Sequence, residues 1–151
     1  MNPGSHLPDV ELLARVEALL DRAYGRYSSI RVAAVVMLED GTLHDGVNVE
    51  NSSLGLTVCA ERNALFGAVA DGAAVGTHAP GPRPVRIVFT SNSDDVTVPC
   101  GACRQVIREL APHAEIVFGR NGTIRKRWAS IDELLPFAFD GDWDSRRPGS
   151  A

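Results

Sequence analysis

Cysteine is scarce in this chain, with three in 151 residues. So small and odd a number excludes a self-contained disulfide framework and suits a reducing compartment, so the cytoplasm is the expected location. Long apolar runs are missing. None approaches the ~20 residues that a membrane-spanning helix needs, so no membrane partner is expected. The opening Met1-Asn2-Pro3-Gly4-Ser5 has no charged stretch leading into an apolar core, and no secretory leader is expected. Asn51-Ser52-Ser53 and Asn121-Gly122-Thr123 match the glycosylation pattern only by chance on that reading. A positive excess is lacking too: 15 Lys and Arg stand against 19 Asp and Glu, a net charge of −4. Nucleic-acid binders show a basic face. The only basic runs here, Arg125-Lys126-Arg127 and Arg146-Arg147, read as solvated strand and tail charge, so no nucleic-acid partner is expected. There is no internal repeat and no sign of a second domain. The expected organisation is a single domain over 1–139 with a polar tail over 140–151.

What is present is an alternation of short strands and helices. Pro8 to Tyr24 carries Leu12, Leu13, Val16, Leu19, Leu20 and Ala23 at helical spacing, with Gly25 as its stop. Val32 to Leu38 is a short apolar run ended by Glu39-Asp40-Gly41-Thr42, a hairpin signal whose second strand is Leu43 to Asn48. A helix is expected from Cys59 to Ala70, and Gly72 to Pro84 is a loop by its glycine and proline content. Val85–Thr90 and Glu115–Phe118 read as strands around a helix that starts near Cys100 and runs to Leu110. Thr123 to Trp128 reads as an edge strand, and Ser130-Ile-Asp-Glu133 as a capping box opening a short helix. Such alternation predicts an α/β layered sheet of about five strands with helices on both faces.

All three cysteines stand where a zinc ion would want them. Cys59 opens Cys59-Ala60-Glu61-Arg62, while Cys100 and Cys103 frame Pro99-Cys-Gly-Ala-Cys-Arg-Gln105. Cys100 and Cys103 are three apart and share one face of a helix. Both clusters fall at predicted helix N-termini, whose partial positive charge favours thiolate over thiol. Zinc takes four ligands, so three from the protein leave a position open for water, as in catalytic sites. Glu61, two residues after the first ligand, completes the pattern ligand-x-Glu … Pro-Cys-x-x-Cys of zinc deaminases of nucleobases. Three thiolates on Zn²⁺ leave a net negative charge, and Arg62 and Arg104, each near a ligand, are placed to donate hydrogen bonds to the sulfurs. A structural zinc with His44, His78 or His113 as fourth ligand is the bland alternative, but none lies at finger-like spacing to a cysteine.

These residues resemble a family: the small homotetrameric, zinc-dependent cytidine deaminases of the cytidine/deoxycytidylate deaminase superfamily. The likeness runs from Tyr27 to Phe139 and rests on Tyr27-Ser28, Gly46-Val-Asn-Val-Glu-Asn51, the two cysteine strings and Leu134-Leu135-Pro136 with Phe139 beyond. It implies a three-layer α/β/α fold with a mixed sheet and one Zn²⁺ per protomer on Cys59, Cys100 and Cys103. It further implies Glu61 as proton shuttle, and Asn48 and Glu50 bonded to the ribose, chiefly its 3′-hydroxyl. The Ala60 backbone would contact the base, and Phe139 would reach a neighbouring subunit's pocket in a homotetramer. The implied reaction is hydrolytic deamination of cytidine or 2′-deoxycytidine to uridine or 2′-deoxyuridine with release of ammonia, a pyrimidine-salvage step on a small nucleoside. Ile30 and Leu54 stand where the family often has aromatic rings, and the Gly72–Pro84 loop is longer than usual; all three touch the pocket wall. Two other readings stay open: a deaminase of another aminopyrimidine nucleoside such as blasticidin S, and a catalytically silent zinc-binding interaction module on the same fold.

Overall fold

A computed structural model describes residues 7–75 and 80–139. The expected polar tail over 140–151, with Trp143 and Arg146-Arg147, lies outside the described residues, as does His78. The elements are α1 (Asp9–Leu19), β1 (Val32–Leu38), β2 (Leu43–Val47), α2 (Ala60–Ala70), β3 (Pro84–Ser91), α3 (Gly101–Leu110), β4 (Glu115–Arg120) and β5 (Thr123–Trp128), with 3₁₀ turns at Leu20–Arg22, Leu54–Leu56 and Ile131–Glu133. The strands form one sheet in the order β2-β1-β3-β4-β5. β3 and β4, joined through α3, run parallel; the other neighbouring pairs are antiparallel. No helix among the described residues is long and apolar enough to cross a membrane.

Two apolar layers sandwich the sheet, as the alternation of elements predicts. On one face α1 buries Leu12, Leu13, Val16 and Leu19 against Ala33, Val35, Met37, Val88 and Val117. On the other lie α2 and α3 over Ala34, Val36, Ile87, Phe89, Ile116 and Phe118. α2 presents Ala60, Ala64 and Ala68 at four-residue intervals, all fully buried, so its backbone rides close to the sheet. β1, β3 and β4 are central and are rich in apolar residues, β1 without a break, because both their faces are covered.

Boundaries differ from the sequence reading where tertiary pairing intervenes. The first helix stops before Tyr24 because Tyr24 pairs with the segment after β2: its N–H donates to the Asn48 carbonyl and its carbonyl accepts from Glu50 N–H, both at 2.9 Å. The turn after β1 is closed by Gly41 at φ 85°, a left-handed conformation that suits glycine. Gly119 does not end β4; the strand continues to Arg120 with a register shift at Phe118/Gly119. β5 is one of the two edge strands, and Arg125, Lys126 and Arg127 are exposed on it, where charge blocks edge-to-edge pairing. The capping box closes only a 3₁₀ turn, with Ser130 Oγ accepting from Asp132 N–H and Glu133 accepting from Ala129 N–H.

Phe89 lies at the centre of the layer beneath α2 and α3, fully buried, 5.3 Å from the Phe118 ring and 6.5 Å from that of Trp128. Phe89→Ala is expected to lose about 3–5 kcal/mol of stability. Urea unfolding checks it, and a loss below about 1 kcal/mol would contradict this placement of the core.

Candidate active site

Two helix starts converge on the same face of the sheet. Cys59 caps α2 and Cys100 caps α3, each in extended backbone. Cys103 stands one turn into α3 and is fully buried. The three Sγ atoms lie within 4.8 Å of one another, and Cys59 and Cys100 are 3.7 Å apart. Sulfurs on a tetrahedral zinc at about 2.3 Å stand about 3.8 Å from one another, so the spacing fits a shared ion. The cysteines are free thiols.

Charge in the cluster points the same way. The Cys59 thiol is held down at about 5 by the hydrogen bond from Cys103 and by those from Arg62 and Cys100, against the effect of burial. The Cys103 thiol is pushed up by its bond to Cys59, by burial and by the Glu61 carboxylate. Without a cation the Cys59 and Cys103 sulfurs are thus driven in opposite directions. A dication inverts that balance and lets all three act as thiolates, which is the fit this donor set requires.

Glu61 follows from the helix geometry. Two residues after Cys59, it points into the interior at 4 % exposure, with its Oε2 3.7 Å from the Cys103 sulfur. Burial is the main cause raising its carboxyl to about 7, with the negative Cys59 adding to it. Arg62, three residues after Cys59 and on the same helix face, donates from Nη2 to the Cys59 sulfur at 3.5 Å and to the Thr57 carbonyl at 3.2 Å. Arg104 departs from the expectation. It follows Cys103 directly, and the ~100° step per helical residue turns it away from the sulfurs. Its Nε donates to the Pro99 carbonyl at 2.7 Å and its Nη1 to the Leu134 carbonyl at 3.0 Å, tying the turn before Cys100 to the C-terminal segment.

The strand end before Cys59 is strapped on both sides. Val49 exchanges two backbone hydrogen bonds with Val58, at 2.9 and 3.1 Å, while Tyr24 holds Asn48 and Glu50. Asn48, 6 % exposed, accepts at Oδ1 from Val32 N–H at 2.8 Å and donates from Nδ2 to the Ile30 carbonyl at 2.9 Å. Glu50 accepts at Oε2 from the N–H groups of Tyr27, at 2.6 Å, and Ser28, at 3.2 Å, and at Oε1 from the Ser28 hydroxyl. That hydroxyl and the Tyr27 N–H, in this order, hold its carboxyl below the usual carboxylate range. Ser28 is thus part of this wall, although its residue type alone assigned it no role. Ala60, buried, is the first residue of α2. Ile30 and Leu54 are exposed. Phe139 is 61 % exposed, and its carbonyl accepts from Gln105 Nε2 at 3.3 Å, close in sequence to Cys103.

His44 and His113 are not at the cluster. His44 is buried on β2 with Nδ1 3.3 Å from Asp71, at the other end of α2. His113 lines a cavity of about 300 Å³ with Glu39, Arg83 and Leu110, at the far end of α3 from the sulfurs.

A three-layer α/β/α domain that gathers three thiols and one buried carboxyl at two helix N-termini is of the mononuclear zinc hydrolase class. Residues 8–120 match the family described as the cytidine and deoxycytidylate deaminase zinc-binding region, and the chain belongs to that family. It is similar to the cytidine deaminase of Sporosarcina psychrophila, 38% identical over 135 residues that cover 87% of this chain and 91% of the relative. The cytidine deaminase of Halalkalibacterium halodurans is 40% identical over 122 residues, covering 80% and 85%. Among solved structures, the cytidine deaminase from Burkholderia pseudomallei superposes with a TM-score of 0.75 at 37% identity, covering 88% of this chain and all of that one.

Cys103→Ala removes the one ligand that is fully buried. It is expected to abolish zinc binding and lower the melting temperature, because site formation and folding are coupled. Metal analysis of the purified variant checks this; full zinc occupancy in it would contradict the ligand set.

Proposed function

We propose that this chain hydrolyses cytidine and 2′-deoxycytidine to uridine and 2′-deoxyuridine with release of ammonia, as a pyrimidine-salvage enzyme of the cytoplasm. The observation that carries the reading is Glu61, buried within reach of the three-sulfur cluster and raised to about 7 by that burial. A proton carrier works best when its pKa lies near the working pH. Zinc, when held by Cys59, Cys100 and Cys103, supplies Lewis acidity and activates a water near neutral pH. Glu61 takes the proton released as a C4–O bond forms and gives it to N3 of the pyrimidine. It then takes the remaining proton from the oxygen now on C4 and delivers it to the amino nitrogen as the C4–N bond breaks and the C4 carbonyl forms. The products are the uracil nucleoside and ammonia.

The same reading assigns the substrate wall. Asn48 and Glu50 hold the sugar, and the Ala60 backbone contacts the base. A carboxylate offers about four lone-pair sites. Three are taken by Tyr27 N–H, Ser28 N–H and the Ser28 hydroxyl, which leaves Glu50 one site for a sugar hydroxyl in a pre-oriented group. Glu50 is therefore not left without donors when the sugar is absent; recognition rests on its orientation. The protein works as a homotetramer in which Phe139 reaches a neighbour's pocket. What supports assembly is exposed apolar surface: Leu54, Leu56, Phe66, Val69, Phe137 and Phe139 are all exposed.

Incubation with cytidine, 2′-deoxycytidine, cytosine and blasticidin S, followed by the ultraviolet change on loss of the 4-amino group, tests the reading. The two nucleosides are expected to react and free cytosine to be a very poor substrate. Equal efficiency on free cytosine would replace the nucleoside reading by a free-base one. Glu61→Gln is expected to keep zinc and fold while losing at least the 10²–10⁴-fold, as an order of magnitude, that acid–base catalysis supplies. Turnover within threefold of wild type would sink the shuttle assignment.

A further inference from the structure

We infer that Gly46 and Asn63, which reach neither the sulfur cluster nor the proposed sugar contacts, are positioning residues that set the spacing between the catalytic turn of α2 and the substrate-binding strand end. The inference rests on the deaminase reading above, with Glu61 as shuttle and Asn48 and Glu50 at the sugar.

α2 lies across β2, and at Gly46 there is no side chain between them. A methyl group at Gly46 would stand 2.3 Å from the Ala60 carbonyl oxygen, 2.5 Å from the Ala64 nitrogen and 3.0 Å from the Ala64 Cβ. The first turn of α2 therefore rests on strand backbone, and hard repulsion sets the distance. Ala60 is the residue between ligand Cys59 and shuttle Glu61, so a push at Gly46 arrives at the chemistry directly. A lone glycine within a strand marks this kind of close backbone approach.

Repulsion sets a minimum distance, and Asn63 sets the other limit. Its Nδ2 donates to the Val47 carbonyl at 2.8 Å. Asn48 N–H bonds Val32 on β1. Because antiparallel ladders alternate, the carbonyl of Val47 faces the open edge of β2, where no strand claims it. α2 is thus held to β2 by a contact that cannot shorten and a hydrogen bond that resists lengthening. Beside the contact opens a groove of about 280 Å³ lined by Arg22, Asp45, Gly46, Val47 and Asn63, so the turn has room to shift once the bond is lost. Asn48 and Glu50 follow on the same strand, and the spacing at Gly46 and Val47 becomes the spacing between sugar contacts and proton shuttle.

The test compares Asn63→Asp, Asn63→Ala and Gly46→Ala with wild type. Asn63→Asp keeps the shape but replaces the donor with a charged acceptor facing a carbonyl. Zinc per protomer, kcat and KM for cytidine, and the ratio of cytidine to cytosine turnover are measured for each. A misplacement of about 1 Å is worth roughly 10²-fold in rate. Gly46→Ala, which must open the contact by about that much, is expected to lose kcat on that order. Asn63→Asp is expected to lose about tenfold and Asn63→Ala less, with zinc retained, KM little changed and the advantage of cytidine over cytosine narrowed. A packing role alone would lower the melting temperature and leave kcat per bound zinc and that ratio where they are. If both Asn63 variants stay within twofold of wild type in kcat and in the ratio, the inference is overturned. If Gly46→Ala does not fold, the two Asn63 variants decide alone. Glu50→Ala, measured alongside, separates the two readings: normal nucleoside turnover there removes the sugar site, while a kcat loss in Asn63→Asp with zinc retained still supports positioning of Glu61.

Discussion

Three sulfurs within 4.8 Å of one another repel as thiolates and are relieved by a cation among them, and the architecture serves that constraint. Cys59 and Cys100 are 41 positions apart. They meet because α2 and α3 lie side by side on one face of the sheet with their N-termini at the same end. The alanines of α2 let it approach the strands closely, and the fully buried Cys103 and Ile107 face inward from α3. Positive helix ends, a neighbouring arginine and a buried carboxyl are then in place around the metal position without further adjustment.

The carboxyl shows how burial does chemical work. Glu61 is surrounded by apolar core and by sulfur, and desolvation raises its proton affinity. Glu50 on the neighbouring strand end is ringed by N–H and O–H donors, and its proton affinity falls. Two carboxylates about ten residues apart are thereby pushed in opposite directions. One is suited to moving protons, the other to remaining an anion that accepts hydrogen bonds. Side-chain direction along a helix likewise separates two arginines of similar sequence context: Arg62 reaches a sulfur, and Arg104 braces the turn before Cys100 instead.

The strand end that carries Asn48 and Glu50 belongs to a backbone assembly outside the main sheet. Tyr24, Asn48, Val49, Glu50 and Val58 exchange hydrogen bonds around the end of β2, and Asn48 spends its amide on β1 and the segment before it. These bonds tie the strand end to β1, to the segment before it and to the residue just before Cys59. The polar side chains there are already engaged in structural hydrogen bonds, which limits how many further bonds they can accept.

The thiol cluster, the buried carboxyl beside it and the layered α/β fold were legible in the sequence because each has a local cause. Thiols at helix starts, a carboxyl two residues after a ligand and apolar runs of strand length are properties of neighbours along the chain. The 3.6-residue period predicted correctly that Leu12, Leu13, Val16 and Leu19 face the core. Long-range partners were not legible. Nothing near Tyr24 announces that Asn48 and Glu50 will end the first helix, nor does residue type reveal that Ser28 takes up Glu50. The position of Arg104, the strapping of Val49 by Val58 and the bare contact at Gly46 depend on segments that meet only when the sheet forms. Residue spacing fixes chemistry within a turn or a strand; hydrogen bonds and repulsions between distant segments, settled only by packing, decide which of those groups stay available.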